Sequence, residues 1–132
     1  MAKTQDMVYV IDEDESVRRA FERLLRSANL DPKPFSSAEK FLNSIIKDET
    51  GCIIMDLRMP GLTGFDLQKK IASLGIRMPV IVISASDDTQ TRDRARELGA
   101  VAFFRKPVDD QALLDAIWWA LRGAEKKARV DR

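Results

Sequence analysis

The sequence predicts an α/β fold: a doubly wound, five-stranded parallel sheet with five helices, in three layers and a single domain. Three observations carry that expectation. Short apolar runs recur along the chain, and each stops abruptly at a polar or charged residue. Between them lie stretches whose apolar residues return every three or four positions. The two patterns alternate from one end to the other, which is the mark of buried parallel strands joined by right-handed helical crossovers. A length of 132 residues suits one domain with a substantial core.

Met7-Val8-Tyr9-Val10-Ile11 stops at Asp12-Glu13-Asp14-Glu15 and reads as the first buried strand. From Ser16 the period changes, and Val17, Ala20, Phe21, Leu24, Leu25 and Ala28 form the inner stripe of a first helix. Asn29 suits its end, and Asp31-Pro32 prevents continuation. Lys33-Pro34-Phe35 is a weak second strand whose prolines suit a sheet edge. Ser36 or Ser37 can cap a second helix with Ala38, Phe41, Leu42, Ile45 and Ile46 on its apolar stripe.

Cys52-Ile53-Ile54-Met55 then runs straight into Asp56 and a Pro/Gly turn, so this strand is buried on both faces and ends in a carboxylate. Cys52 itself reads as a small buried apolar residue. Gly64 opens a third helix through Leu67, Ile71 and Leu74, closed by Gly75. Pro79-Val80-Ile81-Val82-Ile83 is a fourth strand ending at Ser84. A fourth helix, near Asp87 to Leu98, has a thin inner face, chiefly Ala95 and Leu98. Val101-Ala102-Phe103-Phe104 is the fifth strand and ends at Arg105-Lys106-Pro107. The last helix begins near Asp109 and turns Leu113, Ala116, Ile117, Ala120 and Leu121 inward. The domain is expected to span residues 1–122, with 123–132 a charged C-terminal tail or the start of a linker.

Bulk composition removes several functions. The chain is 45% apolar and 33% charged, with 22 basic against 21 acidic residues and a net charge of +1, so nothing draws it to nucleic acid or an anionic membrane. A single Cys and no His leave no disulfide framework and no zinc or haem site, and remove the commonest general base. No apolar run approaches the roughly 18 residues of a membrane helix. Residues 1–6 lack the apolar segment of a signal peptide, and the expected location is the cytoplasm.

Polar residues collect in one place. Asp12-Glu13, Asp56, Ser84 and Lys106 follow or end the first, third, fourth and fifth strands, whose carboxyl ends share one edge of a doubly wound sheet. Three carboxylates against one ammonium leave a double negative charge that a divalent cation would cancel, and an all-oxygen site favours Mg²⁺. A metal, a Lys and a hydroxyl around a carboxylate nucleophile are equipment for phosphoryl transfer through an acyl phosphate.

From about Met7 to Leu121 the chain resembles a response-regulator receiver domain of two-component signalling. The residues that carry the likeness are Asp12-Glu13, the run from Met55-Asp56 through Pro60-Gly61 to Gly64, Ser84-Ala85, and Phe103-Phe104-Arg105-Lys106-Pro107. The resemblance implies that Asp56 accepts phosphate from a histidine kinase or histidine phosphotransfer protein. It implies Mg²⁺ on Glu13, Asp56 and the Arg58 carbonyl, with Asp12 acting mainly through water. Lys106 would pair with Asp56 and then with its phosphate, Ser84 would move to the phosphoryl group, and Phe103 would swing inward behind it. The Lys106-Pro107 peptide is expected to be cis. Such a chain is a phospho-acceptor assisting its own phosphorylation and dephosphorylation rather than an enzyme. One departure stands out, since the second acid is Glu13 where the family most often has Asp.

Two rival functions remain at this level. One is an Mg²⁺-dependent phosphohydrolase with an aspartate nucleophile, which Asp12-Glu13-Asp14 superficially fits and in which Asp14 would matter. The other is a receiver-like scaffold that binds partners without phosphorylation. Helical spacing puts Trp119 outside and Trp118 at the flank near Leu114, either as rings covering the core or as an apolar patch for a partner or a second copy. The thin fourth helix supports a switch in which phosphorylation shifts the fourth helix, fifth strand and fifth helix, with a homodimer through that face.

Overall fold

Three central strands, apolar on both faces, line up in parallel, and two less buried strands of five to six residues flank them. The computed structural model describes residues 6–45, 50–86 and 88–130, with side chains as far as Gly123. The strands are β1 (Met7–Ile11), β2 (Asp31–Phe35), β3 (Cys52–Asp56), β4 (Val80–Ser84) and β5 (Ala100–Arg105). They lie in the order β2-β1-β3-β4-β5, every neighbouring pair parallel. The chain winds outward from β1 to β2, then crosses back over β1 to β3. The direction reverses between β1 and β3, and a crevice at the carboxyl end of such a reversal is where open α/β sheets bind ligands. Asp12 follows β1 and Asp56 ends β3, so both acids stand at that point.

Alternation along each strand divides the core in two. Val8, Val10, Cys52, Ile54, Ile81 and Ile83 pack with Leu25 of α1 (Glu15–Ser27) and Leu113, Ile117 and Leu121 of α5 (Asp110–Val130). Tyr9, Ile11, Ile53, Met55 and Val82 face the other way. They meet Phe41 of α2 (Ala38–Ser44), Leu67 and Ile71 of α3 (Gly64–Ser73) and Ala95 of α4 (Thr89–Glu97). Each large aliphatic side chain so buried contributes roughly 1.5–3 kcal/mol. On the second face Tyr9, Phe35 and Phe41 add edge and stacked ring contacts at 5.5–6.4 Å.

Polar residues set the helix ends. Asp14 caps α1, Ser37 caps α2 and Asp88 caps α4, while Thr63 and Asp66 form a reciprocal capping box on α3. Asn29 closes the turn after α1 in the left-handed region, at φ 63°.

The elements largely match their sequence signatures, but Ala20 is exposed rather than on the inner stripe of α1, and other details differ. β2 begins at Asp31, two residues earlier than expected, because an edge strand tolerates Pro32 and Pro34. The expected Ile46 of the α2 stripe and the Asp87 start of α4 lie outside the described residues; α4 begins at Thr89. Leu74 does not join the α3 stripe: it caps the helix and is exposed, and Ile76 and Met78 fill the core below it. The last helix runs past the apolar period that ends at Leu121 and continues to Val130, through residues that apart from Gly123 have good helix propensity. No helix among the described residues is long and apolar enough to cross a membrane.

Candidate functional site

Lys106 brings three strand ends together. Its backbone N–H donates to the Ser84 carbonyl at 2.8 Å, fastening the end of β5 to that of β4. Its Nζ lies 2.9 Å from Asp12 Oδ2 and 2.9 Å from Asp56 Oδ2. The Lys106-Pro107 peptide is cis.

Each carboxylate divides its oxygens in the same way. Asp12 Oδ1 accepts the Asp14 N–H at 3.0 Å, and Asp56 Oδ1 accepts the Arg58 N–H at 3.2 Å. One oxygen therefore fixes the side chain to its own loop while the other meets the ammonium. Both acids are buried, Asp12 at 2% and Asp56 at 8% exposure, which only a shared cation makes tolerable. Burial raises the Asp12 carboxyl above its ordinary value, and the Asp56 charge adds to the rise; the Asp14 N–H and Lys106 act against it. Burial opposes the charge on Lys106, yet its bonds to the two acids outweigh burial and hold its pKa above the ordinary value.

The remaining expected residues are distributed unevenly. Ser84 is buried at the end of β4, and its Oγ accepts the Ser86 N–H at 3.1 Å. Phe103 is partly buried on the α4 side of the sheet, with the Arg92 guanidinium 5.2 Å above its ring centre. Glu13 is exposed, and among the described residues no three His, Cys, Asp or Glu side chains are grouped to hold a metal ion. The expected convergence of three acids is thus met by two: the strand carries Asp12 inward, and the next residue is turned out to solvent. Two carboxylates still suit Mg²⁺, which usually takes one or two and keeps several waters. Leu114 and Trp118 are half-buried against the α5 side of the core, whereas Trp119 is 66% exposed.

Sequence reading paired Lys106 with Asp56 and did not anticipate its direct bond to Asp12. No local signal spans their separation of 94 residues. It also missed the approach of α3 to the strand that ends at Asp56. A Cβ on Gly64 would lie 2.7 Å from Leu57 Cα and 2.9 Å from the Asp56 carbonyl oxygen. The glycine that opens α3 is therefore also the residue that lets the helix press on the strand end.

Residues 8–118 match the family model of the response regulator receiver domain. The chain belongs to that family. This receiver is 40% identical over 131 residues to nodulation protein W of Bradyrhizobium diazoefficiens, an alignment covering 99% of this chain and 58% of that protein. It is 40% identical over 127 residues to the response regulator protein TmoT of Ectopseudomonas mendocina, covering 96% of this chain and 58% of that one. The receiver thus spans less than two-thirds of the length of these curated relatives. Among solved structures, response regulator StyR superposes with a TM-score of 0.89 at 35% identity, over 97% of this chain and 65% of that one. The crystal structure of FixJ-N gives 0.83 at 32% identity, over 91% and 96%. Several relatives are named transcriptional regulatory proteins. The chain is a receiver domain of the two-component response-regulator kind, and the family as a whole is a signalling one.

Proposed function

We propose that Asp56 is the phospho-acceptor of this receiver and that a phosphohistidine protein, a histidine kinase or phosphotransfer protein, is its donor. The observation that carries the reading is the single ammonium shared by Asp12 and Asp56 at 2.9 Å each. An Asp56 oxygen attacks phosphorus, the P–N bond to the donor imidazole breaks, and the imidazole leaves with its electron pair. Lys106 pairs with the acceptor carboxylate before transfer and faces the phosphoryl oxygens after it. Ser84, at the neighbouring strand end, donates its hydroxyl to the phosphoryl group once that group has arrived. Bound Mg²⁺ would neutralise the phosphoryl oxygens, held by Asp56, the Arg58 carbonyl and Glu13 at the rim, with Asp12 through water. The receiver then acts as a switched module, assisting its own phosphorylation and loss of phosphate, and phosphorylation moves Phe103, α4 and β5.

Incubation with acetyl phosphate and Mg²⁺ should add one phosphoryl mass to the protein and none to Asp56→Asn. An adduct that persists in Asp56→Asn and maps to another side chain refutes the assignment. The hydrolase alternative loses support at Asp14, whose carboxylate accepts the Ser16 and Val17 N–H groups as the α1 cap. Asp14→Ser, which retains a capping oxygen, should phosphorylate at the wild-type rate; a hydrolase would lose its activity with that change.

A further inference from the structure

The acidic loop is held from behind by one side chain. Arg18 lies one turn into α1, and its Nη1 donates to the Asp12 carbonyl at 2.7 Å and to the Glu13 carbonyl at 2.9 Å. Its backbone N–H takes the next carbonyl, that of Asp14, at 3.0 Å. Three successive carbonyls of the loop thus end on one residue. Other arginines of α1 behave differently: Arg19 pairs with the exposed Glu15 at 2.7 Å, and Arg26 with the partly buried Glu22 at 3.8 Å. Arg18 is half-buried, and among the described residues its bonds are to backbone rather than to a carboxylate.

We infer that Arg18 is a positioning residue for the cation site, fixing the Asp12-Glu13 backbone so that the acids and not their carbonyls are presented to Mg²⁺. This deepens the phosphorylation reading above and rests on it. Carbonyl oxygens are hard donors themselves and would compete for the ion in a loose loop. With both carbonyls engaged, Asp12 keeps Oδ1 on the Asp14 N–H and Oδ2 on the ammonium. A charged donor makes short, strong bonds of this kind, and Arg can span two acceptors where Lys offers a point charge.

Magnesium titration by calorimetry, without any phosphodonor, tests the inference on wild type, Arg18→Lys and Arg18→Met. Both variants should bind Mg²⁺ about tenfold more weakly, as is usual when an outer-shell partner of a metal site is removed. At saturating Mg²⁺ their phosphorylation by acetyl phosphate should return to the wild-type rate, so that the defect lies in the half-saturating concentration. A role through charge alone predicts the opposite: Arg18→Met would bind Mg²⁺ more tightly, and Arg18→Lys would be unchanged. Unaltered affinity in Arg18→Lys, the variant that preserves charge and stem, overturns the inference even if Arg18→Met fails to fold. Wild type that binds Mg²⁺ and is phosphorylated while the variants match it sinks this inference alone. Wild type that binds no Mg²⁺ sinks the Mg²⁺ reading with it.

Discussion

Lys106 decides the behaviour of the two acids it faces. Its raised pKa means that its contribution to stability is complete below the ordinary Lys value of 10.5 and is lost as pH rises through the higher folded-state value. Asp12 runs the other way, because a buried acid with a raised pKa favours the folded state when protonated; its ionisation costs stability as pH climbs from 3.8 to the raised value. Lys106→Met should therefore destabilise the protein by about 1–3 kcal/mol at neutral pH. The figure lies below that for a fully buried pair because solvent reaches 25% of the Lys106 side chain. Urea unfolding at neutral and mildly acidic pH checks it, since the loss should shrink as Asp12 takes up a proton. At this scale the sequence displayed the right residue types at the strand ends, because an apolar run stopping at a charge is visible locally. Which oxygen meets which nitrogen was hidden, since the Asp12 and Asp56 bonds to Lys106 join segments far apart in the chain.

Helix α4 meets the sheet through a thin apolar contact. Its one buried residue is Ala95, and two polar contacts supplement it: Arg92 over the Phe103 ring, and Gln68 Nε2 donating to the Ala95 carbonyl at 2.9 Å. Gln68 is buried, and among the described residues its Oε1 has no partner, so this contact is a half-satisfied link between α3 and α4. Gln68→Ala should cost about 1–2 kcal/mol and speed amide exchange in α4 before that of the strands. Equal acceleration in β3 and β4 would show that the link braces the whole domain instead. The cap adds a pH dependence. The Thr91 N–H and the Ser86 and Thr91 hydroxyls hold the Asp88 carboxyl below its ordinary value. Its contribution is therefore present above 3.8 and fades as pH falls through the lower folded value, so α4 should loosen in acid. The thin apolar stripe of α4 was readable because absence of a period is as local as its presence. Gln68 was not, since it sits beside Leu67 at a position that helical spacing leaves ambiguous.

Across the whole molecule, three helices cover one face of the sheet and two the other, and the edge that gathers Asp12, Asp56 and Lys106 lies where the winding reverses. Alternating runs made this layering legible, whereas the strand order depends on pairing that no local pattern records. The output surface proposed for α4, β5 and α5 includes the exposed Val101 and Trp119, while Trp118 has turned against the core. Trp119→Ala should leave the midpoint of thermal unfolding unchanged and weaken self-association or partner capture by the phosphorylated protein. Sedimentation of phosphorylated wild type and variant measures this, and identical profiles with identical partner binding would return Trp119 to the solvated surface. Gly64 bears on chemistry from the opposite side of the sheet edge. With no methyl there, α3 lies directly against the Asp56 backbone, so the setting of that carboxylate depends on a helix that supplies none of the polar side chains around it. A shim of one carbon at that seam would force helix and strand end apart while every acid, hydroxyl and ammonium kept its identity.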